Sequence, residues 1–165
     1  MKRKILPIII LASPLLFNNG SAFNDTRLFE TPIVLTSKEI KAVPSVDAES
    51  KFINALIQVE SRGHDSIIGD KHLVGNEAVG ALQIRPIMVR EVNRILKIKK
   101  SDKRFKLKDR FSREKSIEMF MIWKNYHHSD DEFETIARNW NGGPKGYKSS
   151  RTEKYWVKVQ QELDI

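Results

Sequence analysis

The stretch 51-KFINALIQVESRGHDSIIGDKHLVGNEAVGALQIRP-86 joins a helical pattern to a polar loop and then to a short apolar run. Ile53, Leu56, Ile57 and Glu60 are spaced i, i+3, i+4 and i+7, which predicts a helix that ends near Ser61 with a carboxylate on its apolar face. An apolar setting and the negative end of the helix dipole both oppose ionisation, so we expect a raised pKa for Glu60. A carboxyl group that keeps its proton near neutral pH can act as a general acid.

Helical periodicity continues on both sides of this stretch. Ser45 or Asp47 can cap the first helix, and four more helices are predicted from capping signals at Pro86, at Ser112, at Ser129 with Glu132, and at Ser150 with Glu153. The apolar stripes expected to be buried are Met88, Val92, Ile95 and Leu96; Ile117, Phe120, Met121 and Trp123; Phe133, Ile136, Ala137 and Trp140; and Tyr155, Trp156, Val159 and Leu163.

Two stretches between the helices lack a period. Residues 97–110 are rich in lysine and arginine and are expected to form a solvated connection, and residues 61–80 form a polar loop with four glycines. A chain of 165 residues suffices for one core. The sequence therefore predicts a single, mainly α domain of the α+β class, over residues 45–165, with a small irregular or β loop region.

The first 44 residues are not predicted to belong to the helical domain. A basic start, an apolar run over residues 5–17 and the small residues Gly20, Ser21 and Ala22 are the plan of a secretory signal peptide, residues 1–22. Thirteen residues that include Pro7 and Pro14 are short of the roughly 20 that span a bilayer, so we expect cleavage and no stable membrane insertion. Residues 23–44 are predicted to be an extended lead-in. The expected location is outside the cytoplasm, in the periplasm or cell envelope.

Net charge and cysteine content limit the binding partners and the kinds of catalysis to be expected. The formal net charge is +8, and removing residues 1–22 removes three positive and no negative charges, which leaves +5. Such a protein is drawn to polyanions, and the anionic cell wall or lipid headgroups are the partners expected for an exported protein. Because no basic stretch is interleaved with stacking aromatics, we do not expect nucleic-acid binding. The absence of cysteine excludes a thiol nucleophile and disulfides.

Three separated motifs lie in a distinctive order. A helix ending in Glu60 and Ser61 is followed by the run Gly80-Ala-Leu-Gln83-Ile84, and then by Trp140-Asn141-Gly-Gly-Pro144. This order resembles the soluble lytic transglycosylases of the lysozyme-like superfamily, whose motifs are Glu-Ser, then Gly-Leu-Met-Gln-Ile, then Ala-Tyr-Asn-Ala-Gly-Pro. The resemblance extends over about residues 45–155. It implies a lysozyme-like fold with a cleft beside the loop region.

The resemblance also implies a reaction and a site. Glu60 would be the single acid and base that cleaves the β-1,4 bond between N-acetylmuramic acid and N-acetylglucosamine in peptidoglycan, leaving a 1,6-anhydromuramoyl end. Substrate would be bound by Ser61, Gln83, Ile84, Trp140 and Asn141. The third motif places Trp140 where the family has tyrosine, and tryptophan offers no hydroxyl. A shifted register would instead place Arg138 and Asn139 on the family's tyrosine and asparagine.

Two alternatives of other classes stay open. A hydrolytic lysozyme would need a second carboxylate, for which Asp65, Asp70 and Glu77 are candidates, and a wall-binding module would have lost catalysis. We predict no metal and no cofactor, because His64, His72 and the loop carboxylates match no standard ligand spacing. Wall turnover, service to a secretion or conjugation machine, and a role in a phage all fit the sequence.

Overall fold

The computed structural model describes residues 45–164. The predicted signal peptide, residues 1–22, and the predicted lead-in, residues 23–44, lie outside these residues, as does Ile165. Over the described range, α-helices alternate with short strands and 3-10 turns. They are α1 (Val46–Ser61), β1 (Ile68–Gly69), β2 (Ala78–Val79), α2 (Pro86–Ile98), a 3-10 helix (Leu107–Phe111), α3 (Arg113–His127), α4 (Phe133–Gly142), two 3-10 turns (Gly146–Lys148 and Ser150–Thr152) and α5 (Glu153–Leu163).

The first helix has the predicted limits. The hydroxyl of Ser45 accepts a hydrogen bond from the amide of Ala48 at 3.2 Å, which caps the N-terminus of α1. At the other end Arg62 adopts the left-handed conformation with φ 53°, and its N–H donates to the carbonyl of Gln58 at 2.9 Å. The helix therefore stops immediately after the Glu60-Ser61 pair.

One core collects the apolar faces of all five helices in residues 45–164. Phe52 of α1 is fully buried, with its ring stacked on Phe133 of α4 at a centroid distance of 4.2 Å and tilted against Phe120 of α3 at 6.3 Å. Val159 of α5 is also fully buried. The prediction of a mainly α domain with a small β region is confirmed.

The polar loop after α1 folds back as a minimal antiparallel sheet. Ile68 pairs with Val79 and Gly69 with Ala78. The next residue, Gly80, has φ +80°, and a Cβ there would lie 1.9 Å from the carbonyl oxygen of Arg110. Only glycine fits so close an approach, so the loop is held against the segment that precedes α3.

The connection over residues 97–110 differs from the prediction of a solvated stretch. Its first two residues complete α2, and Phe105, Asp109 and Arg110 are buried. The guanidinium of Arg110 donates to the carbonyls of Glu77, Ile84 and Leu107 at 2.9–3.0 Å. Lysine-rich composition predicted exposure correctly for the lysines. It could not reveal that Phe105, Asp109 and Arg110 of the same stretch are buried and tie it to the domain.

Some caps and buried positions also differ. Glu132 rather than Ser129 is the N-cap of α4, and Ser150 lies in a 3-10 turn, so that Thr152 precedes α5. The predicted capping boxes are therefore wrong, because α4 begins three residues later and α5 two residues later than the motifs require. The buried faces of α2 and α3 also differ from the predicted stripes. Val89 and Met119, which the stripes left out, are buried. Met88, Ile117 and Met121, which the stripes included, are only partly buried and pack at the edge of the core.

Within residues 45–164, no helix combines the length and hydropathy needed to cross a bilayer.

Candidate active site

Glu60 occupies the last turn of α1 and lines a groove of about 910 Å³. Burial of the carboxyl group raises its pKa from 4.5 to about 7, the loss of hydration being the largest cause. The charge of Asp70 also raises this pKa, while a hydrogen bond from Tyr155 and the charge of Arg85 lower it. At neutral pH the group therefore exchanges readily between acid and carboxylate.

The hydroxyl of Tyr155 donates a hydrogen bond to Oε1 of Glu60 at 2.7 Å. Tyr155 lies on α5, which packs along α1. Burial raises the pKa of this phenol well above its usual value, so the phenol is protonated at neutral pH and acts as a donor. The sequence predicted Tyr155 as a core position only. No local pattern pairs residues 60 and 155, and the partner is revealed only by the packing of α5 on α1.

The groove walls come from the β loop region, α2, the end of α3 and the end of α4. The lining combines charged and amide side chains with aliphatic and aromatic ones, as in a site for a polar ligand with apolar faces. The lining residues are Glu60, Gly69, Asp70, Ala78, Gln83, Ile84, Arg85, Ile87, Met88, Glu91, Trp123, His127, His128, Asn139, Trp140, Asn141, Gly143 and Pro144.

Gln83 and Ile84 line the same groove as Glu60. Gln83 adopts a left-handed conformation with φ 45°, and its Nε2 donates to the carbonyl of Gly80 at 2.9 Å and to that of Ile67 at 3.4 Å. A Cβ at Gly69 would lie 2.3 Å from Oε1 of Gln83, so the glycine in β1 leaves room for the amide. Ile84 is buried and forms a bridge with Val79.

The third motif also lines the groove. Trp140 packs edge-on against Phe120 and Trp123, both at a centroid distance of 5.1 Å, and Asn141 is exposed. Asn139, which the shifted register matches to the family's asparagine, also lines the groove, and its Oδ1 accepts from the amide of Tyr147 at 3.0 Å.

Ser61 is placed differently from the other predicted site residues. Its side chain is 2 % exposed and its hydroxyl donates to the carbonyl of Ile57 at 3.1 Å, one turn back in α1. Ser61 is not part of the groove lining. In this arrangement it braces the helix end that carries Glu60 instead of presenting a hydroxyl to a ligand.

Of the three loop carboxylates proposed for water activation, only Asp70 lines the groove, where it forms an ion pair with Arg85. Asp65 pairs with Arg113 at 2.9 Å, and Glu77 accepts from the amide of Gly75 at 3.0 Å. The loop spacing could not separate them, because the choice depends on how β1 and β2 fold.

Glu91 is a further groove carboxylate that the sequence did not reveal. Its carboxylate accepts hydrogen bonds from Arg94 and is joined to Nε2 of His127 at 2.7 Å. These hydrogen bonds, of which the one from Arg94 has the largest effect, lower the pKa of Glu91 to about 2. A permanently ionised, paired carboxylate is unsuited to donate a proton. Glu60 therefore differs in kind from Glu91.

Over residues 45–164, no three His, Asp or Glu side chains come together in a way that would hold a metal ion. Comparison with protein-family models and with curated proteins gives no match. In fold, the chain is similar to a chain in the crystal structure of Aeromonas hydrophila PliI in complex with Meretrix lusoria lysozyme. The TM-score is 0.54 and the identity 19%, over 67% of this chain and 87% of that chain. At that identity the similarity concerns the fold alone.

Proposed function

We propose that this protein is a peptidoglycan lytic transglycosylase of the soluble, lysozyme-like kind, acting outside the cytoplasm. The observation that carries the proposal is Glu60, a carboxyl group with a pKa of about 7, set in a groove and hydrogen-bonded by Tyr155. The order of the three sequence motifs supports the substrate. The chain of similar fold comes from a complex that contains a lysozyme, which is in keeping with that substrate.

In the proposed reaction, protonated Glu60 donates its proton to the glycosidic oxygen that leaves the muramic acid. The neighbouring 2-acetamido group stabilises the positive charge at the anomeric carbon. The Glu60 carboxylate then accepts the proton of the 6-hydroxyl, whose oxygen closes the 1,6-anhydro ring. A pKa near the working pH serves both steps, because the group must give up a proton and then take one back.

Tyr155 and the groove walls have separate parts in this scheme. The phenol donates to the carboxylate form, so it stabilises the negative charge that appears on Glu60 after proton transfer. Gln83 and Asn141 offer amides to the polar groups of the sugar, and the Trp140 ring offers an apolar face.

The experiment that tests the proposal digests purified peptidoglycan sacculi and identifies the released fragments by mass spectrometry. We expect anhydromuramoyl ends from the unmodified protein and none from Glu60→Gln. Glu77→Gln is the matched control, because Glu77 lies outside the groove lining. If the unmodified protein binds sacculi and releases nothing, the proposal is wrong and the protein is a binding module.

A hydrolytic lysozyme is the second candidate, and it is favoured by one observation. Asp70 lines the same groove and lies near enough for its charge to raise the pKa of Glu60. A second carboxylate so placed could position water against the anomeric carbon. Reducing muramic acid ends that disappear in Asp70→Asn would support hydrolysis, and anhydro ends that persist in Asp70→Asn would exclude it.

A further inference from the structure

A dense group of cations lies away from the groove, in the basic segment, residues 97–108. Seven of its twelve residues are lysine or arginine and one is acidic. All seven cationic residues are exposed. They are Lys97, Lys99, Lys100, Lys103, Arg104, Lys106 and Lys108. The proposed reaction uses none of them.

The basic segment is a fixed surface and not a loose loop. Phe105, in its middle, is 5 % exposed, and its backbone is clamped by Asn93 of α2: Nδ2 donates to the Phe105 carbonyl at 2.9 Å and Oδ1 accepts from the Phe105 amide at 2.8 Å. Beyond it, the carboxylate of Asp109 accepts from the amide of Lys106 at 2.7 Å. The lysines are therefore presented with little further loss of backbone entropy on binding.

Few of these charges are neutralised within residues 45–164. Lys103 forms an ion pair with Glu118, and the guanidinium of Arg104 donates to the backbone carbonyls of Ser101 and Lys103. Lys97, Lys99 and Lys100 form no ion pair with a described residue. The segment thus carries an excess of positive charge that a polyanionic surface would complement.

Two exposed aliphatic side chains indicate which kind of polyanion the basic segment would bind. Ile98 is 52 % exposed and Leu107 is 51 % exposed, at opposite ends of the basic segment. A nucleic acid or an anionic polymer gains nothing from exposed aliphatic groups, whereas the interface of a lipid bilayer accepts them below its headgroups. Lysines beside exposed apolar residues are typical of surfaces that bind anionic lipid.

The basic segment begins at the end of α2 that lies farther from the groove, and none of its residues lines the groove. The groove is lined by the first half of α2, including Met88 and Glu91, and the basic segment begins at the other end of this helix. From Met88 to Ile98 the helix rises about 15 Å.

We propose that residues 97–108 are a binding surface for the anionic headgroups of a lipid bilayer, which would hold the domain at a membrane. The proposal does not depend on which reaction the groove performs.

The test is sedimentation of the full-length protein with vesicles of phosphatidylcholine alone or mixed with phosphatidylglycerol. One variant carries Lys97→Gln, Lys99→Gln, Lys100→Gln and Lys106→Gln. Its control removes the same charge from the next most basic stretch, with Lys145→Gln, Lys148→Gln, Lys154→Gln and Lys158→Gln. All proteins keep residues 1–44, so any binding by that segment is common to them.

We expect binding to the anionic vesicles that weakens with salt, and little binding to the neutral ones. At several-fold per lysine, the first variant should bind at least about 30-fold more weakly, and the control should retain most of the affinity. Equal losses in both variants would show that net charge alone is responsible and would overturn the proposal. The smaller change Lys99→Gln with Lys100→Gln, expected to weaken binding several-fold, serves if the larger variant does not fold.

A second comparison separates the bilayer from a soluble polyanion. Ile98→Ser with Leu107→Ser keeps every charge, and it should weaken vesicle binding several-fold while leaving binding to inorganic polyphosphate unchanged. If this variant binds vesicles as tightly as the unmodified protein does, and polyphosphate competes fully for the surface, the partner is a soluble polyanion and the bilayer is excluded.

Discussion

Tyr155 and Glu60 are 95 residues apart in the chain, and a hydrogen bond of 2.7 Å joins the phenol of the first to the carboxyl group of the second. The bond depends on the packing of α5 along α1. It stabilises the ionised carboxylate and so opposes the effect of burial, which is larger and holds the pKa of Glu60 at about 7. The two helices together set the protonation state of the proposed acid.

Removing the phenol hydroxyl should change the pH dependence of glycan cleavage. Tyr155→Phe removes the donor that stabilises the carboxylate, so the pKa of Glu60 should rise above 7. The proposed acid would then stay protonated to higher pH, and the fall of kcat/KM on the alkaline side should move upward. The measurement is release of soluble fragments from sacculi against pH. Tyr147→Phe, at an exposed tyrosine, should leave the profile in place. A shift to lower pH would contradict the assignment.

The charges of Asp70 and Arg85 should shift the same pKa in opposite directions. Asp70→Asn removes a neighbouring negative charge and leaves Arg85 unpaired, so the pKa of Glu60 should fall. Arg85→Gln has the reverse effect and should raise it. The double variant removes both charges and should restore a profile near that of the unmodified protein. Shifts in the same direction for the two single variants would show that the pair does not act on Glu60 through its charge.

The raised pKa of Glu60 also predicts a pH-dependent cost to folding. The pKa is about 7 in the folded protein and 4.5 ordinarily, so the folded state binds this proton more tightly. The corresponding stability is complete below pH 4.5 and is lost as the pH rises through 7. The side chain of Glu60→Gln cannot ionise, so the variant does not lose this stability. At pH 8 its free energy of unfolding should exceed that of the unmodified protein by about 3 kcal/mol.

Urea denaturation of the two proteins at pH 4 and pH 8 measures this difference. At pH 4 both side chains are neutral and both can accept the hydrogen bond of Tyr155, so the two free energies of unfolding should nearly coincide. Glu91→Gln is a useful contrast, because the pKa of Glu91 is lowered to about 2 by its hydrogen bonds, chiefly those from Arg94, and this variant should gain nothing at pH 8. A constant difference between Glu60→Gln and the unmodified protein at both pH values would rule out a raised pKa.

The sequence predicted those parts of the site that depend on a single helix or a short motif. The periodicity of α1 placed Glu60 on the apolar face and predicted its raised pKa, since both follow from residues within two turns. It did not predict the hydrogen bond of Tyr155 to Glu60, the choice of Asp70 among three carboxylates, or the place of Glu91 in the groove. Each of these depends on how distant segments meet, and periodicity carries no information on which helices pack together.

The contacts of Arg110 also join distant segments and were not predicted. From its lysine-rich composition, the stretch that contains Arg110 was expected to be solvated. Its guanidinium donates to the carbonyls of Glu77 and Ile84 at 3.0 Å, and so ties the segment before α3 to the β loop region. Arg110→Met would leave these carbonyls without their donor and should lower the free energy of unfolding by about 2–4 kcal/mol. Arg90→Met, at an exposed position of α2, should change it by less than about 0.5 kcal/mol. Similar losses in both variants would contradict the structural role of Arg110.

The last prediction concerns the close approach at Gly80, and Gly75 provides a control for it. The two glycines have nearly equal φ angles, +80° and +78°, so an alanine at either position has the same left-handed backbone strain of about 1 kcal/mol. Around Gly75 a Cβ would meet nothing within 4 Å, whereas at Gly80 it would lie 1.9 Å from the Arg110 carbonyl oxygen. Backbone atoms cannot rotate away as a side chain can. Gly75→Ala should therefore cost about 1 kcal/mol, and Gly80→Ala should cost several times more and displace Gln83 from the groove. Denaturation of both variants measures the difference, and equal costs would mean that the loop is free to move away from the segment before α3.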